Sequence, residues 1–336
     1  MDSITHIALG ACIGEAFAGK QLGKKAMFWG ALSQSIPDID FIASAWSGTA
    51  ENLLAHRGFT HSVLFAIIIT PLLALVVERW HRPHDISLKR WMMFFGAQVL
   101  IHLLIDGMNV YGVGWFEPFS HHRVSYNWIF VADPLYSVWL GIAFVVLLIL
   151  RRNHPMRNWW VRFGVGMSTI YLLYCGLNKI KIDHDVKDVF RKQHIPYTEY
   201  FTTPTPLNNW LWYVVAANDS GYNIGYRSLF DKERKIDFVF VPKNESLLKP
   251  VSGNEDLQKL IRFSKGYYAI QRWSDTLVFN DLRFGQMIGW RDPRARFVFH
   301  YFLQHPAENE LVVQRGRFAG WDRDAFNALL RRIKGN

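Results

Sequence analysis

The sequence predicts an α-helical polytopic membrane domain followed by a small α+β domain with a mainly antiparallel sheet. Three observations carry this reading. Apolar residues crowd into the first 177 of 336 positions, although the mean hydropathy of the whole chain is only +0.01. Four runs in that part approach the ~17–25 residues needed to cross a hydrocarbon core. Beyond about residue 178 the runs break up, and turn-forming stretches such as NDSGYN, DKERK and PVSGNED separate short β-patterned segments. The two domains are accordingly placed at 1–180 and 181–336.

Taken in order, residues 3–18 and 25–36 are apolar but short, and read as half-spans or as helices packed against others. The first stretch lacks a basic leader and carries Glu15, so it is not expected to be a cleaved signal peptide. The spans are expected at 62–78, 91–108, 135–150 and 159–177. Trp115, Trp128, Trp159 and Trp160 suit an interfacial aromatic belt. In the second half, IDFVFVP, DTLVFNDLRF and RFVFHYFLQ read as strands, and FNALLRRIKGN as a short helix stopped by Gly335.

Lys and Arg distribution sets an orientation. Lys20, Lys24, Lys25, Arg79, Arg82, Lys89, Arg90, Arg151, Arg152 and Arg157 fall in alternate loops, while the loops 37–61 and 109–134 hold only Arg57 and Arg123. Basic loops stay cytoplasmic. The N-terminus and the segment after 177 are thus expected on the non-cytoplasmic side. The net charge of +10 comes neither as one run nor interleaved with aromatics, so nucleic acid is not an expected partner. Cys12 and Cys175 lie in apolar contexts and offer neither a disulfide framework nor a thiolate metal cluster.

In that topology the metal-ligating side chains fall on one face of the membrane. They are His6, Asp38 and Asp40 in PDID, His56 and His61 in HRGFTHS, and His102 and Asp106 in HLLID. His102 and Asp106, four apart on a helix, share a face and can address one ion. Asp38 and Asp40, two apart in an extended or turn conformation, would project to one side and could bridge two ions. Mixed imidazole and carboxylate donors suit Zn, Mn or Fe. Arg57, between two histidines, is a candidate bidentate donor to a phosphate or a snorkelling interfacial cation. His121, His122 and Asp133 share the same outer side as supporting groups or solvated loop residues.

Together THIALGACIGEAF, SIPDIDFI, HRGFTHS and HLLIDGMNVYG resemble the bacterial membrane-bound metal-dependent hydrolases, also described as LexA-binding, inner-membrane-associated hydrolases. The resemblance covers roughly residues 1–180, with PTPLNNWLWYVVA similar to that family's downstream region. It implies an inner-membrane protein with a zinc hydrolase site remotely similar to zinc-dependent phospholipase C. By that match His6, Asp38, Asp40, His61, His102 and Asp106 are the ligand candidates, with His56 and Arg57 beside them. The activity expected is hydrolysis of a phosphoester or of a lipid-linked or envelope-precursor substrate at a di- or trinuclear centre, with Asp38 or Asp40 as bridge or general base. A histidine-nucleophile lipid phosphatase lacks its accompanying Lys, Arg and Ser motifs here, and an HExxH metalloprotease lacks its motif. The competing reading is a non-catalytic membrane protein whose His and Asp cluster serves metal binding, transport or structure.

Overall fold

The computed structural model describes residues 1–81, 86–251, 253–305, 309 and 320–335, and divides into two compact units: 1–45 with 55–176, and 46–54 with 177–336. Arg82 of the second basic loop lies outside the described residues.

The first unit is helical: α1 (Ser3–Leu22), α2 (Lys24–Ser35), a 3₁₀ segment Pro37–Ala45, a 3₁₀ turn Phe59–His61, α4 (Val63–Trp80), α5 (Leu88–Asp106), α6 (Pro134–Ile149) and the start of α7 (Arg157–Gln193). The short helix α3 (Thr49–Ala55) interrupts it in sequence. Side-chain oxygens open the helices: Asp2 accepts from Thr5 N, Ser62 from Phe65 N, and Asp133 from Leu135 N and Tyr136 N. The two short apolar segments form a tight α1–α2 hairpin across Gly23, whose φ of 60° suits a residue without Cβ. A Cβ at Gly10 would lie 2.3 Å from Gly30 O, and one at Gly14 2.1 Å from Ala26 O. Pairing 14 with 26 and 10 with 30 sets the register, and it brings His6 opposite Gln34.

Of the four expected spans, two, α4 and α5, are long and apolar enough to cross a membrane; α6 is apolar but shorter, and α7, which carries the expected span at 159–177, is not apolar enough by the same measure. Only 17% of the α4 window is buried, and Ile67, Ile68, Leu72, Leu75 and Val76 face outward. α1 runs antiparallel to α5. Arg90 donates to Phe17 O at 2.6 Å at one end, and His6 meets Asp106 at the other. The basic loops gather at the first of these ends, where Arg152 donates to Lys20 O and Gln21 O. Arg157, expected as a loop cation, is buried. It grips Glu15 through Nε–Oε1 and Nη2–Oε2 contacts of 2.7 Å each and donates to Leu147 O and Leu150 O. A buried carboxylate needs such a partner, which is why it is not left to solvent.

The second unit contains two antiparallel sheets where one was expected. One has the order β1 (Glu199–Pro204), β2 (Leu211–Asn218), β3 (Gly221–Ser228), β4 (Val239–Pro242), and the other β5 (Tyr268–Trp273), β6 (Thr276–Gln286), β7 (Phe297–Phe302). Helices α8 (Glu255–Phe263) and α9 (Arg323–Ile333) complete it. Strand alternation explains the layering. Trp212, Val214 and Ala216 on β2 pack with Ile182, Val186, Val189 and Phe190 of α7, and Tyr213 and Val215 pack towards Ala269, Leu282 and Phe297 of the second sheet. The helix expected to end at 177 therefore continues to Gln193. Its later turns keep an apolar stripe at helical spacing, although the segment is polar on average.

Candidate metal centre

The geometry of the site follows from four backbone devices in the first unit. α5 presents Gln98, His102 and Asp106 at successive four-residue steps on one face. The α1–α2 hairpin delivers His6 and Gln34. The 3₁₀ segment after Pro37 delivers Asp38 and Asp40, and the Phe59–His61 turn delivers His61 just before α4 begins.

These elements converge on four atoms. His61 Nε2 and His102 Nε2 lie 3.1 Å apart. Asp38 Oδ1 lies 3.5 Å from His61 Nε2 and 3.7 Å from His102 Nε2, and Asp106 Oδ2 lies at the same two distances from the same nitrogens. All four ligand atoms fall within 4.8 Å of one another. Legs of ~2.0–2.1 Å to a tetrahedral ion correspond to edges of about 3.3–3.4 Å, close to the His–His and His–carboxylate separations of 3.1–3.7 Å here. The side chains of His61, His102 and Asp106 are 0% exposed, and that of Asp38 is 19% exposed, which puts Asp38 at the mouth.

Hydrogen bonding at the outer ring nitrogens turns both imidazoles towards the centre. His102 Nδ1 donates to Gln34 O at 2.6 Å, and His61 Nδ1 faces Asp40 Oδ2 at 3.4 Å and Thr60 Oγ1 at 3.1 Å. With the protons on Nδ1, the two Nε2 lone pairs point at each other and at two carboxylate oxygens. In that tautomer the four atoms form an acceptor cluster in which a further cation would be stabilised, beside the Arg57 guanidinium and Met1 amino group already paired with Asp106. Asp106 Oδ2 is buried with no hydrogen-bond donor aimed at it, although Arg57 Nε pairs with it ionically at 3.0 Å. The donor set thus fits a divalent metal.

Asp40 stands apart from Asp38. Residues two apart in a 3₁₀ helix diverge by about 120° at three residues per turn, so the two carboxylates do not project together. Asp40 instead organises the loop, accepting from Arg57 N at 2.7 Å and Thr60 Oγ1 at 3.3 Å and facing His56 Nδ1 at 3.2 Å. Burial opposes its charge, but the His56 and His61 contacts hold its carboxyl well below the usual range. Burial likewise opposes the charge of Asp38, and His61 and His102 hold it low. His56 lies outside the four-atom cluster with its side chain 43% exposed.

His6 belongs to a second layer. Its ring stacks on His102 at 3.9 Å, its Nε2 faces Asp106 Oδ1 at 3.1 Å and its Nδ1 faces Gln34 Oε1 at 3.2 Å. The Met1 amino group contacts the same Asp106 oxygen. Arg57 does not face outward as a phosphate donor or a snorkelling cation would. Its guanidinium is buried against Asp106, Asn109 Oδ1 at 2.8 Å and Met1 O at 3.2 Å.

Gln34, Gln98 and Asn109 were not singled out from sequence. Gln98 continues the four-residue spacing of His102 and Asp106 through an apolar helix, which is a readable signal. Gln34 was hidden because it depends on the hairpin register. Asp133 caps α6 and accepts from Tyr171 OH at 3.0 Å, His121 is exposed and pairs with Glu117 at 2.9 Å, and His122 is exposed.

The model of the YdjM inner membrane protein family matches residues 1–182. The inner membrane protein YbcI of Escherichia coli (strain K12) is 33% identical over 127 residues, or 37% of this chain and 72% of that one. The uncharacterized protein YfhP of Bacillus subtilis (strain 168) is 25% identical over 221 residues, 59% of this chain and 65% of the relative. No solved structure matches.

Proposed function

Since the chain belongs to the YdjM inner membrane protein family, we propose that it is a multi-pass inner-membrane hydrolase whose metal is held by Asp38, His61, His102 and Asp106. The observation that carries this reading is the facing pair of imidazole Nε2 atoms between two carboxylates, each ring steered from behind by Gln34 O or Asp40. Zn, Mn or Fe bound there would supply Lewis acidity and an ionisable water at neutral pH.

The protein's own groups divide the remaining work. Asp38, at the mouth, is the carboxylate placed to accept a proton from an entering nucleophile. Asp40 orients His61, Arg57 holds Asp106 in position and screens its charge, and His6 supports Asp106 through its other oxygen. Phe59, Phe116 and Phe119 are exposed on the loops of this end. Exposed Phe side chains suit burial at the boundary between headgroups and acyl chains. That supports a phosphoester of a lipid or lipid-linked envelope precursor as substrate. The gathering of basic loops at the other end supports a non-cytoplasmic centre.

A non-catalytic metal site is the second reading, and one observation favours it: four protein donors, three of them fully buried, complete a tetrahedral ion without an open position. Detergent-purified protein loaded with Zn, Mn or Fe separates the two readings when assayed on phosphodiester and phosphomonoester substrates. Metal-dependent turnover by the wild type, lost together with the metal in His102→Ala, supports the hydrolase. Stoichiometric metal without turnover on any ester supports the structural site.

A further inference from the structure

The second unit contains two strongly amphipathic helices with different outer faces. α8 buries Leu257, Leu260 and Phe263 and shows solvent only charged, polar or partly covered residues. α9 buries Ala325 and Leu329, yet exposes Phe326 and Leu330 as well. Arg323, Phe326, Leu330 and Lys334 follow one another at steps of three, four and four, so they share one flank, and all four are exposed. Phe230 is exposed beside the end of that helix, where its carbonyl would lie 2.5 Å from a Cβ at Gly335.

α7 ties this patch to an apolar surface. Ile170, Leu173, Tyr174, Leu177 and Ile180 are exposed at helical spacing and form one stripe along it. The stripe ends at Lys181, whose Nζ donates to Leu229 O at 3.3 Å, next to Phe230. An apolar strip flanked by Arg and Lys, beside the exposed apolar residues Leu177 and Ile180 of α7, has the composition of an interfacial helix.

We propose that α9 and the Phe230 turn, both in the second unit, form a docking surface for anionic phospholipid headgroups. Phe326, Leu330 and Phe230 enter the boundary between headgroups and chains, and Arg323, Lys334 and Lys181 meet the phosphates. The proposal rests on the membrane reading of α7.

The test uses the full chain in vesicles of phosphatidylethanolamine and phosphatidylglycerol, with the buried Cys12 and Cys175 replaced by Ala. Single nitroxide labels are placed through Phe326→Cys, Leu330→Cys and Phe230→Cys. Leu173→Cys serves as the lipid reference and Lys192→Cys, at an exposed position, as the water reference. The expected ratio of oxygen to nickel-chelate accessibility at 326, 330 and 230 is several-fold above that at 192, and it falls towards the water reference in vesicles of phosphatidylcholine alone. Water-like labels on α9 with a lipid-like label at 173 would overturn the docking surface while leaving α7 in the membrane. A water-like label at 173 would remove the premise as well. Labels shielded from both reagents would assign the patch to a protein partner, and an unchanged ratio in phosphatidylcholine would overturn the selectivity for anionic lipid.

Discussion

Replacing Asp40 by Ala separates a ligand from a residue that positions one. Asp38 Oδ1 lies within the four-atom cluster, whereas Asp40 reaches it only through His61 Nδ1, at 3.4 Å. Asp40→Ala removes that carboxylate with its contacts to Arg57 N, Thr60 Oγ1 and His56 Nδ1, and leaves His61 Nδ1 only Thr60 Oγ1, at 3.1 Å. Loss of such a supporting carboxylate costs roughly 10–100-fold in metal affinity, or about 1.4–2.7 kcal/mol. Asp38→Ala removes a direct donor and should abolish stoichiometric binding. Asp40→Asn keeps an acceptor for His61 and should fall between wild type and Asp40→Ala. Competition against a fluorescent chelator in detergent gives the dissociation constants. An Asp40→Ala protein that loses metal as completely as Asp38→Ala would make Asp40 a ligand, and one that binds like wild type would break the link through His61.

The remaining tests address the scaffold. Arg157→Ala strands the buried Glu15 carboxylate and should destabilise the first unit by about 3–5 kcal/mol, read as a lowered thermal midpoint in detergent; an Arg157→Met, Glu15→Met double variant should recover much of the loss. In Gly30→Ala the new methyl would sit 2.0 Å from Gly10 O. The hairpin must open, at a cost of about 1–3 kcal/mol, with weaker metal binding because Gln34 and His6 shift together. His300 is buried against Trp273 with its pKa lowered, first by burial. It therefore binds protons more readily when unfolded. Its contribution to stability is present above the unfolded value of about 6.5 and is lost as pH falls below it. The urea midpoint of the full chain should drop between pH 7 and pH 5, and less so in His300→Gln.

How much of this was legible in the sequence varied with the range of the interaction involved. Helix α5 and its His102–Asp106 pair depend on a four-residue spacing within one element, and both were readable. Asp38 and Asp40 look equivalent in the sequence because PDID does not announce a 3₁₀ segment, in which neighbours two apart diverge. The inward turn of Arg57 depends on Asp106 and Asn109, some fifty residues downstream, and local sequence shows only a cation between histidines. In the second unit, β6 and β7 alternated well enough to be read. Strand β2, LWYVVAAN, is buried on both sides between α7 and the second sheet, so it carries no alternation to mark it. The continuation of α7 was missed because its stripe of Ile182, Val186, Val189 and Phe190 is spread among charges.

Metal analysis of the purified protein tests the central claim most directly. Wild type is predicted to carry stoichiometric Zn, Mn or Fe, with the metal lost from both His102→Ala and Asp38→Ala while each variant keeps the fold of the first unit by circular dichroism. Wild-type protein that holds none of these ions even after reconstitution would contradict the assignment of Asp38, His61, His102 and Asp106 as a metal centre.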